Sequence, residues 1–373
     1  MAIVNSIIYD EKADGIYQVT VEFLDLKGSS KKGGGESSGK NHTTETAQGA
    51  SLREALANVS ASTEKSIYGG HNHVRFFTEA AARGHMAAAI DYFVRDHLTD
   101  ETPLMLVIKG DHPENIYDAS LGLSDSVGVY IDSLVMTQRK TSSKSVLVTT
   151  LDFLKDFFSD GKEPVAGVVE IVKSESAKQE AAGSDDKSTG QDKILCEGLA
   201  AFKDDKLVGY FNGNEARAYN FIRNKIGTAI LTVPFENSTV VCEITGSSSS
   251  IKTKIDGDSA NIDIAVNATM RIIANGTPED LSDPEKMKDV ETQFNAYLLP
   301  QIADAIKKAQ GEFKSDIFGF GSFVHAQHPQ DWQRIKEQWG SIFPKATVNI
   351  SVSSKVFQTS ETKGSILSEF SED

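Results

Sequence analysis

The sequence predicts a mixed α/β or α+β fold with three domains, each a β-sheet with packed helices. The C-terminal domain is expected to hold a large, mostly antiparallel sheet and a long helix. Three observations support this. Strand-like and helical runs alternate up to residue 172, strand-like runs with short Ser, Gly and Asp connections follow residue 192, and a long helical run precedes the last strand. Such alternation favours layers of sheet and helix over a β-sandwich. A chain of 373 residues is also long for one compact core.

Changes in composition along the chain set the expected domain boundaries. A first domain is expected at residues 1–65, with part of 140–190 as a candidate addition, and a second domain at 66–140. Residues 141–191 are expected to form a return segment and a disordered linker, and residues 192–373 the C-terminal domain. The end of the linker is polar, charged and free of aromatic side chains, and such a composition cannot bury a core.

Two strands and a helix are expected in the first domain. Residues 2–9 are mostly apolar, and the run from Tyr17 alternates apolar and polar residues with the period of a strand. Residues 28–50 are rich in Gly, Ser and Lys, and we expect a floppy excursion there because such a segment has little to bury. Ser51 and Glu54 have the spacing of a capping box, which predicts a helix that begins after Ser51.

The second domain and the return segment alternate strands with helices. Residues 73–79 predict a short strand and residues 84–98 an amphipathic helix. The apolar run at 103–110, bounded by Pro and Gly, is typical of a central strand covered on both faces. Helices are expected around 125–139 and 149–158. The apolar face of the last helix is predicted to comprise Leu151, Leu154, Phe157 and Phe158.

The C-terminal domain is predicted to begin with a strand, a tight turn at Asp204–Asp205, a second strand and a helix that opens near Asn214. Residues 228–273 carry Ser, Gly and Asp at turn-like positions, and we expect three or four long strands there. Short connections of this kind favour antiparallel pairing.

A long helix is expected over residues 284–313, on the order of 40 Å at 1.5 Å per residue. Asp283 is its predicted N-cap, with Pro284 at the first helical position. The apolar face of this helix comprises Val290, Phe294, Leu298, Ile302 and Ile306. Clean alternation over 346–357 predicts the last strand, and the polar tail is expected to fray.

The charge balance excludes some classes of function. With 53 acidic and 38 basic side chains the net charge is -15, and no Lys/Arg cluster is large enough for nucleic-acid binding. The same acidity argues against adsorption to anionic lipid. No apolar run approaches the roughly 18 residues that a membrane-spanning helix requires, and the N-terminus lacks the pattern of a signal peptide.

Few residue patterns point to catalysis or to a cofactor. His71 and His73 would share one face of a strand, and His325 and His328 one face of a helix, but neither pair has a third ligand at metal-like spacing. The Gly319–Phe323 run resembles the start of a phosphate loop without its further Gly and Lys. A chain with no acid, base and nucleophile set is expected not to be an enzyme and to need no cofactor.

Two further features each allow two interpretations. Cys196 and Cys242 lie in strand-like segments, either as buried free thiols or as a disulfide. Aromatic residues also crowd into fewer than thirty positions, either to pack the long helix on the sheet or to form an exposed docking patch. These aromatic residues are Phe318, Phe320, Phe323, Trp332, Trp339 and Phe343.

The same region resembles the Ger(x)C family of spore germination proteins. Its pattern D-I-F-G-F-G, P-x-x-W and W-x-x-x-F-P is matched at Asp316, Ile317, Phe318, Gly319, Phe320 and Gly321, then at Pro329, Trp332, Trp339, Phe343 and Pro344. Similar N-terminal motifs fall at Gly70, His71, Glu79, Ala81, Gly84, Arg95, Asp96, Gly110 and Ile116. The similarity covers nearly the whole chain.

The resemblance implies a lipoprotein subunit of a nutrient-germinant receptor, beside integral-membrane A and B subunits. It implies an N-terminal lipid (palmitate) anchor, upstream of Met1, on the outer surface of the inner spore membrane. Candidate partner-contact or family-signature residues are Asp316, Phe318, Gly319, Phe320, Gly321, Trp332, Trp339 and Pro344. A module that binds the germinant is the alternative, and a cell-wall enzyme is a third hypothesis.

Overall fold

The computed structural model describes residues 2–12, 15–24, 42–63, 67–84, 86–96, 100–122, 124–173 and 192–358. The chain forms two compact units. The first unit comprises residues 1–136, 147–157 and 165–208, and the second comprises 137–146, 158–164 and 209–373. The predicted polar linker at 174–191 and the C-terminal tail after 358 lie outside the described residues.

The strands before residue 212 form one mixed sheet in the order β10-β9-β7-β6-β5-β1-β2-β3, with β4 beside β1 and β8 beside β7. These strands are β1 (Ala2–Glu11), β2 (Tyr17–Leu24), β3 (His42–Gly49), β4 (Ile67–Tyr68), β5 (Val74–Thr78), β6 (Leu104–Lys109), β7 (Val165–Val172), β8 (Lys193–Leu195), β9 (Leu199–Lys203) and β10 (Lys206–Phe211). Strands β1, β5, β6 and β7 run parallel at its centre. Strand β6 is buried over its first five residues, so the predicted central strand is confirmed.

Helices of the first unit are α1 (Leu52–Thr63), α2 (Glu79–Arg83), α3 (Ala87–Arg95), α4 (Val127–Thr141), which extends beyond this unit, and α5 (Thr150–Phe157). The core includes Val74, Phe76, Leu106, Ile108 and Ile131. The capping prediction for α1 is confirmed, because Ser51 Oγ accepts a hydrogen bond from the backbone N–H of Glu54. The Glu54 side chain in turn accepts one from the N–H of Ala50.

Two expectations for this unit were wrong. Residues 42–49, expected in the floppy excursion, form edge strand β3 in continuous register with β2, because backbone pairing needs no apolar side chains. Residues 25–41 lie outside the described residues. In α5, Phe153 and Leu154 are buried, whereas Leu151 and, directly after the helix, Phe158 are exposed. Two apolar stripes overlap in that helix, and tertiary packing selected the one that includes Phe153.

The second unit contains a four-stranded sheet in the order β11-β12-β13-β14. Its strands are β11 (Ala229–Phe235), β12 (Ser238–Asp256), β13 (Ser259–Asn275) and β14 (Thr347–Gln358). The expected three or four strands over residues 228–273 are confirmed as three, β11, β12 and β13, which pair in antiparallel succession. The serines of residues 247–250 stay paired, and the chain reverses at Gly257, where φ is +56°. Strand β14 joins β13 in parallel, because the intervening helices carry the chain back along the sheet.

The helices of this unit are α6 (Gly213–Ile222), α7 (Pro284–Lys308), α8 (Phe320–Gln327), α9 (Pro329–Ile335) and α10 (Trp339–Ile342). The predicted cap of α7 is confirmed, because the carboxylate of Asp283 accepts a hydrogen bond from the N–H of Glu285. Its five predicted apolar positions are all buried. The α-helix ends at Lys308 and continues as one π turn to Phe313. Helix α6 begins at Gly213, next to the expected Asn214, with Asn212 as its cap.

The observed architecture is the expected mixture of sheets and packed helices, with a long helix and a mostly antiparallel sheet at the C-terminal end. The expected domain boundary falls between residues 65 and 66, and strands from both sides of it pair in one sheet. The division of residues 1–65 and 66–140 into separate domains stays a prediction.

Candidate functional site

A buried carboxylate organises the C-terminal unit immediately before α8. The side chain of Asp316 is 4% exposed, and its Oδ1 accepts a hydrogen bond from the N–H of Phe320 at 3.0 Å. Its Oδ2 accepts two more, from the N–H of Gly321 at 2.8 Å and from the indole Nε1 of Trp339 at 2.9 Å. The loop that resembles a phosphate loop therefore holds an anion, and that anion is the protein's own carboxylate.

Burial raises the pKa of Asp316, and hydrogen bonds from the backbone of Gly321 and Phe320 and from Trp339 oppose that rise without cancelling it. A carboxylate removed from water is costly unless donors replace its hydration. Hydrogen bonds to an ionised acceptor are stronger than neutral ones, and the first turn of a helix favours negative charge. Both oxygens are thus committed to holding the local backbone.

Close approach of the backbone explains the glycines around Asp316. Gly319 has a φ of +72°, a conformation that side chains with a Cβ rarely adopt. A Cβ on Gly321 would lie 2.6 Å from Nε1 of Trp339. Gly161, from a neighbouring segment of the same unit, has a φ of +75°, and its Cβ would lie 2.6 Å from both Gly321 and Trp332. Only hydrogen fits at these contacts.

Aromatic rings pack around this loop. The rings of Phe318 and Phe320 stack with centroids 5.3 Å apart, and Phe343 lies 6.2 Å from Phe320. Trp332 and Trp339 meet edge to face at 5.6 Å. We call Asp316, Gly319, Gly321 and these five rings the Asp316 cluster.

The structure brings all the sequence-predicted site residues into this one region, but it turns their side chains inward. The five rings of the Asp316 cluster are at most 6% exposed, and Pro344 beside them is half-buried. The five rings therefore pack in the interior, as the first of the two interpretations predicts. Phe323 is the exception, because its ring is half-buried and lies 5.8 Å from the guanidinium of Arg223. The partner-contact role of the predicted residues stays a prediction, and it would act through the surface that the cluster supports.

Sequence reasoning missed a second buried carboxylate, in the first unit. The side chain of Glu22 accepts hydrogen bonds from the N–H groups of Val127 at 2.6 Å and Gly128 at 3.0 Å, at the start of α4. Ser6 Oγ donates a third at 2.8 Å, and His42 Nδ1 lies 3.8 Å away. Glu22 is fully buried. In the sequence, Glu22 lies between Val21 and Phe23, on the face of β2 that carries polar residues. Such a face usually contacts solvent, so the sequence contained no signal that Glu22 is buried.

Tyr117 completes this buried polar group. Its hydroxyl lies 3.1 Å from Ser6 Oγ, and its backbone carbonyl lies 3.4 Å from Nε2 of His42. Burial raises the pKa of the Tyr117 phenol, and the nearby charge of Glu22 raises it further. The Tyr117 phenol therefore stays neutral and acts only as a hydrogen-bonding partner. Together, Ser6, Glu22 and His42 link β1, β2 and β3 to the start of α4.

A cavity of about 690 Å³ lies at the carboxyl ends of the parallel strands β1, β5 and β6. Ligands commonly bind there in open α/β sheets. Five of its fourteen lining residues are acidic, Asp10, Glu79 and Asp111 among them, and two are basic. Asp10 accepts a 2.6 Å hydrogen bond from Thr78 Oγ1. Across the described ranges, His, Cys, Asp and Glu side chains form no group of three that could hold a metal ion.

The histidine pairs take separate partners. His73 Nδ1 lies 3.3 Å from a carboxylate oxygen of Asp132, and His328 Nε2 lies 2.6 Å from the carbonyl of Thr253. Both cysteines, Cys196 and Cys242, are buried and free, which agrees with the thiol interpretation. None of the helices within the described residues has the length and apolar character needed to cross a membrane.

Comparison with known proteins gives matches over both halves of the chain. Residues 1–171 match the family model described as spore germination protein N-terminal domain. Residues 197–360 match the model described as spore germination B3/GerAC like, C-terminal.

Relatives from Bacillus subtilis (strain 168) align over most of their own lengths. Spore germination protein KC is 20% identical over all of this chain and 93% of its own length. The putative spore germination protein YfkR is 21% identical, with 94% of this chain and 88% of the relative covered, and spore germination protein B3 is 19% identical, with 93% and 88% covered. The crystal structure of the GerBC protein has the same fold, with a TM-score of 0.55, 16% identity, and 94% and 96% of the two chains covered.

Proposed function

The chain belongs to the Ger(x)C family of spore germination proteins, and from this membership we propose that it is the non-catalytic C subunit of a nutrient-germinant receptor. The observation that carries the proposal is the match of both halves to spore germination families, over nearly the full lengths of the aligned relatives. Partial matches to one domain would leave the role of the other open.

We propose that the chain works beside integral-membrane A and B subunits on the outer surface of the inner spore membrane. Its net charge of -15 opposes adsorption to anionic lipid, so attachment has to come from a partner or from a covalent lipid. One acyl chain binds a membrane only marginally. A lipid anchor and contacts with membrane subunits would therefore act together.

Both buried carboxylates support a role without catalysis. Asp316 and Glu22 each accept three hydrogen bonds from protein donors, and each is almost or fully closed to solvent. A general acid or base must reach the reacting atom of a substrate. These side chains instead hold a loop and a helix start, and a rigid body of this kind suits recognition of other proteins.

For the contact surface, we propose the face that the Asp316 cluster supports. Phe323 and Pro344 are partly exposed and lie close to cluster residues in the chain. Partly exposed aromatic side chains on a rigid support are typical anchors of protein interfaces. The buried cluster would then fix the positions of these side chains without touching the partner.

Co-purification from spores tests the proposal. An affinity-tagged chain with its native N-terminus is expected to retain the A and B subunits after mild detergent extraction, and a chain with Phe323→Ala is expected to lose most of both. Phe357→Ala is the matched control, because that ring is 57% exposed on β14 and outside the Asp316 cluster. Retention of neither subunit by the unmodified chain would contradict the receptor role. Equal retention by both variants would contradict only the proposed contact face.

A further inference from the structure

A second cavity, of about 370 Å³, lies in the first unit between β1, β4 and β5 on one side and α1 and α3 on the other. Its volume lies in the range of small-molecule sites, roughly 300–1,000 Å³. Its polar lining consists mainly of Arg53, Asn72, Arg75, Tyr92, Asp96 and Asp100.

Arg75 is a buried cation in the lining of the cavity. It is 3% exposed, and its guanidinium lies 4.5 Å from the centroid of the Phe93 ring. Nη1 donates a 2.7 Å hydrogen bond to Thr150 Oγ1, whereas the buried Nε has no hydrogen-bond partner among the described residues. Arginine stays charged inside proteins and carries five N–H donors. A buried guanidinium with an unused donor favours a carboxylate, which can accept two parallel hydrogen bonds.

Asn72 adds an unused acceptor to the same lining. The residue is 8% exposed, and its Oδ1 is buried with no hydrogen-bond donor among the described residues. Buried polar atoms in folded proteins nearly always have a partner, so each exception needs an explanation. A ligand with N–H groups would supply one for Asn72, as a carboxylate would for Arg75.

Two carboxylates balance the arginines. Asp96 lies 3.7 Å from the guanidinium of Arg53, and its side chain is 12% exposed. Burial acts to raise the pKa of Asp100, but hydrogen bonds from Thr102 and the charge of Arg75 outweigh it and hold the pKa below its usual value. Both signs of charge thus meet at one cavity, and the formal charges of the two arginines and two aspartates cancel.

We propose that this cavity binds a small zwitterion with one carboxylate and one ammonium group, the chemistry of a free α-amino acid. The carboxylate would pair with Arg75, and the ammonium group would face Asp96, Asp100 and Oδ1 of Asn72. A simple anion or a simple cation would satisfy one set of partners and leave the other unmet, and unmet buried polar groups strongly oppose a wrong ligand. This site does not depend on the receptor role or on contact with other subunits.

Calorimetric titration of the purified whole chain tests the site with three compounds of similar shape. L-valine carries both charged groups, isovalerate lacks the ammonium group, and isobutylamine lacks the carboxylate. We expect L-valine, or another member of a panel of glycine, L-alanine and L-asparagine, to bind and to raise the melting temperature. The two singly charged compounds should bind at least tenfold more weakly than the amino acid that binds most tightly. Flat heats for the whole panel, or equal affinity for isovalerate, would overturn the proposal.

Variants separate binding from folding. Arg75→Gln is expected to abolish binding, and Asp100→Asn, at a more exposed position, to weaken amino-acid binding at least fivefold while leaving the fold intact by circular dichroism. Asp111→Asn, in the other cavity, is the matched control and should bind like the unchanged chain. If Arg75→Gln fails to fold, the Asp100→Asn variant alone tests the site. Amino-acid affinity equal to that of the unchanged chain in this variant would refute the site.

Discussion

The indole Nε1 of Trp339 donates a 2.9 Å hydrogen bond to Oδ2 of Asp316, a buried carboxylate 23 positions earlier in the chain. The contact joins α10 to the loop before α8. It also makes the stability of the second unit sensitive to single atoms in this side-chain pair.

Replacing either partner of that bond should destabilise the protein. Asp316→Asn places an NH₂ group against at least one backbone donor, and we expect the free energy of unfolding to fall by about 2–4 kcal/mol. Trp339→Phe leaves the carboxylate one donor short and should cost about 1–3 kcal/mol. Asp304→Asn on the exposed face of α7 is the control, with an expected change below about 0.5 kcal/mol. Urea unfolding measures all three, and a loss in Asp316→Asn no larger than in the control would contradict the role of this carboxylate.

The stability that Asp316 contributes should depend on pH. Because burial raises its pKa in the folded state above the unfolded value of about 3.9, the folded protein binds the proton more tightly. The contribution is therefore fully present below the unfolded pKa and is lost as pH rises through the folded pKa. The unfolding free energy of the unchanged chain minus that of Asp316→Asn should decrease from pH 3.5 upward. Subtracting the two free energies removes the pH dependence that the other carboxylates contribute to both proteins. A free-energy difference that grows as pH rises would contradict the predicted direction.

Gly161 tests the close packing at the Asp316 cluster. Gly161→Ala should destabilise the folded protein in two ways. Alanine is strained in the left-handed backbone conformation of this residue, and its Cβ would clash with Gly321 and Trp332. Gly257→Ala is matched in φ, at +56° against +75°, but its Cβ would meet nothing within 4 Å. We expect the Gly161 variant to lose about 1–3 kcal/mol more than the Gly257 variant in urea unfolding. Equal losses would mean that the backbone relaxes around the added methyl group.

The buried Glu22 should be needed for the start of α4. Glu22→Gln retains one acceptor oxygen and sets an NH₂ group against a backbone donor, so Val127 or Gly128 loses its partner. We expect a loss of about 2–4 kcal/mol in unfolding free energy and faster hydrogen exchange at both amides. Glu45→Gln, at an exposed position on β3, is the control. Unchanged exchange at residues 127 and 128 would show that Glu22 is dispensable there.

The two thiols should be unreactive in the native protein. Burial raises the pKa of Cys196 and of Cys242 to about 12, and the thiolate is the reactive form. At pH 8 we expect no rapid reaction with Ellman's reagent before unfolding, and two thiols per chain in concentrated guanidinium, the number in the sequence. A single fast thiol would contradict the burial of one cysteine, and no reaction after unfolding would indicate a disulfide.

Patterns within a few residues predicted the individual elements well. The cap at Asp283, the buried face of α7 and the central strand β6 all follow from spacings that a single helix or strand brings together. The same reasoning failed at β3, because an edge strand with polar side chains has no local hydrophobic signal. It also failed at α5, where two overlapping stripes fit one helix.

By itself the sequence determined the class of fold, most helices and strands, the acidic charge and the family, because these depend on composition and short-range periodicity. Only the tertiary structure decided that the signature aromatic residues face inward, that Glu22 is buried beneath α4, and that Arg75 and Asn72 share a cavity. The physical reason is distance along the chain. Glu22 meets Val127 across 105 positions, and a side chain's solvation is set by such partners rather than by its neighbours in sequence.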